Sequence, residues 1–333
     1  MAEAALYHPL SFGSLRVPGN LFLAPVAGYT DRAFRSICVE QGADFTCTEL
    51  ISSEALVRDS SKTELLLRRA ENEPRYAIQL FGADPETMYK AASLLKAYRP
   101  EAVDINAGCP VPKVVKTGAG SALVRRPETL GRIVEAVVRA SQDHLGEIPV
   151  TVKIRSGWDA SSLNYRETAH IALEAGASLV ALHARTRAQG YSGQSDWSHI
   201  ADLASRISVP LIGSGDLFTP EDGRRMLAET GCAGIMFARG AMGNPFIFSA
   251  ARSLLVSGTY AWPEPAERLK TAFRQLVLLS TDAGERIACR EMRKQFCAYT
   301  KGISGGAALR NTLVHAETID EYREILNGAG ISV

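Results

Sequence analysis

From residue 20 to about 256 the chain alternates short apolar runs with longer stretches whose apolar residues recur at helical spacing. The runs are Leu21–Ala24, Phe45–Glu49, Tyr76–Phe81, Ala102–Asn106, Val150–Ile154, Leu179–His183, Val209–Gly213 and Gly234–Ala238. Each is short and bounded by turn residues, which predicts a buried strand. Between them, Asp84-Pro85 opens a helix with Met88, Ala91, Ala92 and Leu95 on one face. Pro127 opens another that carries Leu130, Ile133, Val134, Val137 and Val138. Thr219-Pro220-Glu221-Asp222 reads as a cap followed by an acidic first turn. Apolar strands separated by helices imply parallel pairing with the helices outside. Eight such units predict an α/β fold, a closed (β/α)8 TIM barrel spanning residues 1–256. No G-x-G-x-x-G run follows the first strand, which counts against a dinucleotide-binding sheet.

After Val256 the pattern changes. Ser257–Pro265 reads as a linker, and beyond it Ala266–Thr281, Ile287–Thr300 and Thr318–Asn327 show helical spacing without strand signals. A small C-terminal helical domain over residues 263–333 is expected. Residues 286–310 hold Arg286, Arg290, Arg293, Lys294, Lys301 and Arg310 against Glu291 alone, a local excess of +5 in a chain whose net charge is +1. Alone, that span is either a solvated helix face or a surface for a polyanion. With a net charge of only +1 the chain as a whole gives no sign of nucleic acid or membrane, so any basic surface is local.

The six cysteines form no C-x-x-C pair, so neither a zinc site nor a disulfide framework is expected, and no metal site is assigned. The start, Met1–Tyr7, lacks the cationic head and apolar run of an export signal, and no stretch reaches the length of a membrane span. These features predict a reduced, soluble, cytoplasmic protein with no membrane association and no evident obligate protein partner.

Polar residues collect at the C-terminal ends of the predicted strands, where barrels of this kind place their chemistry. Strand one ends in the small residues Pro25-Val26-Ala27-Gly28, and strand two in Glu49. Strand three carries Gln79; strand four ends in Asn106, followed by Cys109. Lys153 and Arg155 end strand five, and His183 and Arg185 end strand six. Ser214-Gly215-Asp216 and Ala238-Arg239-Gly240 end strands seven and eight. Polar groups inside apolar runs are costly unless partnered, so their gathering at one end predicts a pocket. Two glycine-containing turns leading into helices suit a phosphate. Lys153 could face a ring that becomes anionic on reduction; its bland alternative is a surface lysine, and that of His183 a satisfied core histidine.

The centre of the pattern is Val103-Asp104-Ile105-Asn106-Ala107-Gly108-Cys109-Pro110, a strand stopped by glycine and proline that leaves a cysteine at its mouth. Taken singly, Cys109 could be a small buried thiol. With Ala24–Asp31, Gly118–Leu123, Val152–Trp158 and His183–Arg187, this stretch resembles the tRNA-dihydrouridine synthase family, in particular its bacterial B-type members. The resemblance runs from about Leu21 to the C-terminal helices.

The resemblance implies an FMN-bound barrel that reduces the C5–C6 bond of particular uridines in tRNA, with NADPH or NADH as electron donor. Matching positions for flavin contact are Pro25, Val26, Ala27, Gln79, Lys153, His183, Ser214, Gly215, Asp216, Ala238 and Arg239, and Cys109 matches the catalytic cysteine. Ser214 and Ala238 depart from the usual Asn and Gly. Hydride from flavin N5 would reach uracil C6, and Cys109 would give a proton to C5. Asn106 is expected at the uracil edge, and Arg185, Arg187 and Tyr191 at substrate phosphate or base. In this light Arg290, Arg293 and Lys294 become tRNA contacts, with Lys113 and Lys116 adding to them. Rival readings are an FMN barrel acting on a free pyrimidine, a non-redox phosphate-binding barrel, and an RNA-binding module without catalysis.

Overall fold

The structure is a computed structural model that describes residues 5–333; Met1–Ala4, part of the stretch on which the expectation about an export signal rests, lie outside the described residues. The described strands are β1 (Leu10–Phe12), β2 (Leu15–Val17), β3 (Leu21–Leu23), β4 (Thr46–Cys47), β5 (Ile51–Ser52), β6 (Tyr76–Phe81), β7 (Ala102–Ala107), β8 (Val150–Gly157), β9 (Leu179–Thr186), β10 (Leu211–Ser214) and β11 (Gly234–Phe237). Parallel pairing runs β3-β11-β10-β9-β8-β7-β6-β4, with β5 extending the edge of β6. The ring is closed between β3 and the approach to β4, where Leu23 N–H donates to Phe45 O (2.9 Å) and Asp44 N–H to Leu21 O (2.9 Å). This is the eight-stranded (β/α)8 barrel that the apolar runs predict, each expected run contributing one stave.

The expected helices form where their start signals stand. Asp84 caps Pro85–Leu94 by accepting from Thr87 N–H, and Thr219 and Asp222 form a reciprocal capping box at the start of Pro220–Thr230. Leu130, Ile133, Val134 and Val137 of Pro127–Ala140 are fully buried against the barrel. Val209 and Pro210 fall outside β10, consistent with proline's missing N–H.

Alternation along the staves sends Val103, Ile105, Val152, Ile154, Val180 and Leu182 outward under the helices. It turns the intervening residues into the barrel. At the N-terminal end that interior is apolar, built from Phe22, Phe45, Ala77, Ala102, Leu179 and Ile212, and the β1–β2 hairpin plugs it. Phe12 meets Phe45 edge-on with ring centroids 5.7 Å apart, and Phe22 lies 5.2 Å from Phe45. Toward the other end the interior becomes polar, through Gln79, Asp104 and Thr151 to Asn106, Lys153, His183 and Ser214.

Helices Pro265–Ala283, Glu285–Tyr299, Gly306–Leu313 and Ile319–Gly328 pack around their own apolar core, which includes Leu276, Met292, Phe296 and Tyr322 and admits Ala33 and Phe246 from the barrel. Arg32 pairs with Asp282 (2.8 Å) and Arg274 with Glu40 across the seam. No described helix is long and apolar enough to cross a membrane.

Candidate active site

The C-terminal mouth of the barrel holds a cavity of about 450 Å³, a size ordinary for a ligand. Pro25, Val26, Ala27, Asn106, Cys109, Lys153, His183, Ser214, Gly215, Asp216, Ala238 and Arg239 all line it. Strand register explains the convergence: Asn106 is opposite Lys153, Arg155 opposite His183, and His183 opposite Ser214. Ala24, Pro25, Ala27, Gly215 and Ala238 give the walls small side chains, which leaves a slot.

Cys109 is held by its backbone. Asn106 Oδ1 accepts from Gly108 N–H (3.2 Å) and Cys109 N–H (2.9 Å), and Cys109 O accepts from Ser121 N–H (3.0 Å) and Ser121 Oγ (2.9 Å). A side chain at Gly120 would place its Cβ 2.8 Å from Cys109 O, so that approach requires glycine. Burial raises the thiol's pKa above its ordinary value, against the lowering pull of the Val111 amide, Arg155 and Lys153.

Beneath it runs a buried hydrogen-bond chain. Thr151 Oγ1 (2.5 Å) and Gln79 Nε2 (2.6 Å) donate to Asp104, and Asn106 Nδ2 donates to Gln79 Oε1 (2.8 Å). Burial lifts Asp104 to about 6, against the lowering effect of Gln79 and Thr151. Gln79, expected at the cofactor, therefore does not line the cavity: it is fully buried with both amide atoms engaged below it. Asn106 is likewise committed, its oxygen to the cysteine loop and one N–H to Gln79, which leaves one N–H for a ligand. Asp104 anchors this chain, a role that its place in an apolar run does not reveal.

Lys153 has no hydrogen-bond or ion-pair partner among the described residues, and burial, with Arg155 beside it, lowers its pKa to about 8. His183 is held well below its usual value by burial and by Lys153 and the nearby arginines, so it is neutral at pH 7. Arg155, given no role by the sequence pattern, also belongs to the site. It is 2 % exposed and faces no carboxylate: Nε donates to Gly108 O (2.8 Å), and one terminal nitrogen to Thr186 O (2.8 Å) and Gly190 O (2.9 Å). Its second terminal nitrogen has no partner among the described residues, and the side chain lines the cavity. An embedded arginine two residues after Lys153 on the same inward face was the available signal.

Arg185 and Arg187 are not brought to the cavity. Arg185 is 1 % exposed and bound to both oxygens of Asp216 (2.8 and 2.7 Å) and to Gly193 O, so it shapes the loops after β9 and β10 and offers little charge to a substrate. Arg187 lies 4.6 Å over the Trp158 ring, whose surroundings also include Arg125 at 4.9 Å. Asp216 also pairs with Arg239 (3.0 Å). Burial pushes its pKa up, but the Ser195 amide and Arg185 outweigh that and leave it lowered.

On helix Glu285–Tyr299, Lys294 pairs with Glu291 (2.6 Å) and lies 5.2 Å over Tyr29 at the cavity mouth. Arg293 is half-buried and donates to Ala316 O (3.4 Å); Arg310 donates to Thr300 O (3.2 Å). Arg286, Arg290 and Lys301 are exposed. Lys113 and Lys116 are exposed on the cysteine's loop. No cluster of three or more His, Cys, Asp or Glu able to hold a metal occurs among the described residues.

Fold and site together define a barrel enzyme whose mouth sets a protonated thiol and an unpartnered lysine around one slot. A family model described as dihydrouridine synthase (Dus) matches residues 22–330. The chain is 50% identical over 334 residues to a probable tRNA-dihydrouridine synthase of Treponema pallidum (strain Nichols), covering 99% of this chain and 98% of that protein. It is 34% identical over 302 residues to tRNA-dihydrouridine synthase B of Pasteurella multocida (strain Pm70), covering 90% of each. The chain belongs to the dihydrouridine synthase family. Among solved structures, 2-naphthoyl-CoA reductase superposes with a TM-score of 0.59 at 12% identity, over 98% of this chain and 70% of that one. Histamine dehydrogenase from Rhizobium sp. 4-9 superposes with a TM-score of 0.58 at 15% identity, over 83% of this chain; the chain spans 51% of that protein's length. These two likenesses show the barrel fold.

Proposed function

We propose that the protein reduces the C5–C6 bond of particular uridines in tRNA to 5,6-dihydrouridine, with FMN bound in the mouth cavity and NADPH or NADH as electron donor. The observation that carries the reading is that Cys109 and the unpartnered Lys153 line one cavity in a member of this family. The residues fit the cofactor. Small side chains leave a slot for a flat ring, the lone ammonium of Lys153 suits a ring edge that gains negative charge, and the loops after β10 and β11, with Arg239, suit a phosphate. Bound there, FMN supplies the hydride that adds to uracil C6.

The chain's own groups do the rest. Cys109, kept as a thiol by burial, gives its Sγ proton to C5. The free N–H groups of Arg155 and Asn106 orient a base by its carbonyl oxygens, and Tyr191, 59 % exposed, closes over it. Drawing the base out of its stack costs a few kcal/mol and is cheapest in flexible tRNA loops. Residues 263–333 form the tRNA-binding part, with Arg286, Arg290 and Lys301 among its exposed cations.

Incubating FMN-loaded protein with NADPH and either tRNA or free uridine tests the reading. Dihydrouridine should form in tRNA at defined positions. Reduction of free uridine at the same efficiency, or a protein that cannot be loaded with flavin, would overturn it.

A further inference from the structure

We propose that a second cavity, beside the first, binds the nucleotide that flanks the target uridine; the inference rests on the tRNA reading above. This cavity, of about 570 Å³, opens between the loop after β9 and helix Pro220–Thr230. It shares Tyr191, Asp216, Phe218 and Arg239 with the first, so a single ridge divides them.

The ridge is built as a stack. The Arg239 guanidinium lies 5.1 Å from the Tyr191 ring and 5.0 Å from the Phe218 ring. Tyr191 is 59 % exposed and Phe218 45 %, and Trp262 is the only other aromatic of comparable exposure among the described residues. Large ring faces left in water are unfavourable, and two of them concentrated at one cavity rim mark a recognition surface. Phe218 is also fixed in place: its N–H donates to Asp222 Oδ2 (3.0 Å), the carboxylate that caps the following helix. Asp222 is thereby turned toward backbone amides, and its charge and that of Asp216 stand against the three arginines Arg185, Arg225 and Arg239 that line the same cavity.

The far wall carries Trp197, whose Nε1–H donates to Gly215 O (3.0 Å), with Arg225 lying 5.2 Å over its ring. Asp216 offsets one of the two arginines it binds, so the ridge keeps a net positive charge. Aromatic faces beside guanidinium groups are the chemistry that holds an unstacked base and its phosphate. A uridine drawn into the first cavity leaves its neighbour short of a stacking partner and tethered within reach of the ridge. Phe218 and Trp197 replace that absent partner, and Arg225, which lines the second cavity and not the first, meets the intervening phosphate.

The experiment measures KM for tRNA and for NADPH, and flavin content, in FMN-loaded wild type, Phe218→Ala, Phe218→Trp and Arg225→Ala. Each is also assayed on a tRNA transcript made abasic next to the mapped target uridine. Phe218→Ala, assayed with saturating FMN, should raise the tRNA KM about five- to 150-fold, the range expected for removing one base–aromatic stack, and by far more than it moves the NADPH KM. Phe218→Trp should restore the wild-type value, and Arg225→Ala should raise the tRNA KM more modestly. The abasic change should cost wild type a similar factor and Phe218→Ala little more, the non-additivity of two groups that touch. An unmoved tRNA KM, fully additive losses, or a rise confined to NADPH would overturn the inference. Wild type that makes no dihydrouridine in tRNA would instead overturn the reading it rests on.

Discussion

A thiol can serve as an acid only while it holds its proton, and Cys109 and Lys153 are tuned in opposite directions by the same burial. The thiol's pKa is raised, whereas that of Lys153 falls to about 8. Between neutrality and pH 9 the group that titrates is therefore the lysine, which is a cation below about 8 and loses its charge above it. Flavin reduction by NADPH should accordingly slow as pH rises through about 8. Lys153→Met should remove that limb and lower the rate on the order of 10²-fold, as stopped-flow traces across pH would register. A limb that persists in the variant would assign it elsewhere. Asn106→Ala should strand the amides of Gly108 and Cys109 and the Gln79 oxygen, costing about 1–3 kcal/mol of stability, read from denaturant unfolding of the FMN-free proteins, together with a fall in tRNA turnover. Cys109 was legible in the sequence because a strand, a glycine and a proline place it. The work of Asn106 was not, because its partner Gln79 arrives from a stave 27 residues earlier. Arg185 misled for the same reason: the carboxylate that claims it, Asp216, is 31 residues downstream.

At the scale of elements, the loops after β10 and β11 are the least tolerant part of the mouth. Gly215 has φ +121°, and a Cβ there would lie 2.2 Å from Ser195 Oγ. Gly215→Ala should therefore cost both backbone strain and a shifted Ser195, and should purify with little flavin while its far-UV circular dichroism stays that of the barrel. A fully loaded Gly215→Ala would show that this loop does not form the cofactor's cradle. The eight staves were readable because each combines a short apolar run with turn residues at its ends. The β1–β2 hairpin was not, since three-residue strands carry no period, and only the ring contacts of Phe12 with Phe22 and Phe45 reveal its purpose. Helix Gly306–Leu313 was missed because glycine, asparagine and threonine blur its apolar spacing.

Across the whole molecule, the six cations of residues 286–310 divide by what they already touch. Arg293 and Arg310 are spent in part on the carbonyls of Ala316 and Thr300, and Lys294 on Glu291 and the Tyr29 ring, while Arg286, Arg290 and Lys301 face solvent. Arg286→Glu with Arg290→Glu should weaken tRNA binding at low salt and flatten its salt dependence, the slope of log K against log salt falling by about 0.7–0.9 for each phosphate no longer neutralised. Arg293→Ala should act more on thermal stability than on that slope. Equal slopes in the charge-reversed and wild-type proteins would return the helix to an ordinary solvated face.

The central claim, that Cys109 completes the reduction by giving a proton to C5 of a uracil held in the barrel mouth, is tested by a single-turnover experiment. FMN-loaded wild type and Cys109→Ala are reduced with NADPH in the absence of oxygen, then mixed with tRNA, and flavin reoxidation is followed alongside dihydrouridine formation. Both proteins should be reduced at the same rate, and the variant should then reoxidise on tRNA about 10²- to 10⁴-fold more slowly than wild type, the usual worth of a positioned general acid. Reoxidation of Cys109→Ala at the wild-type rate, with dihydrouridine formed, would contradict the account.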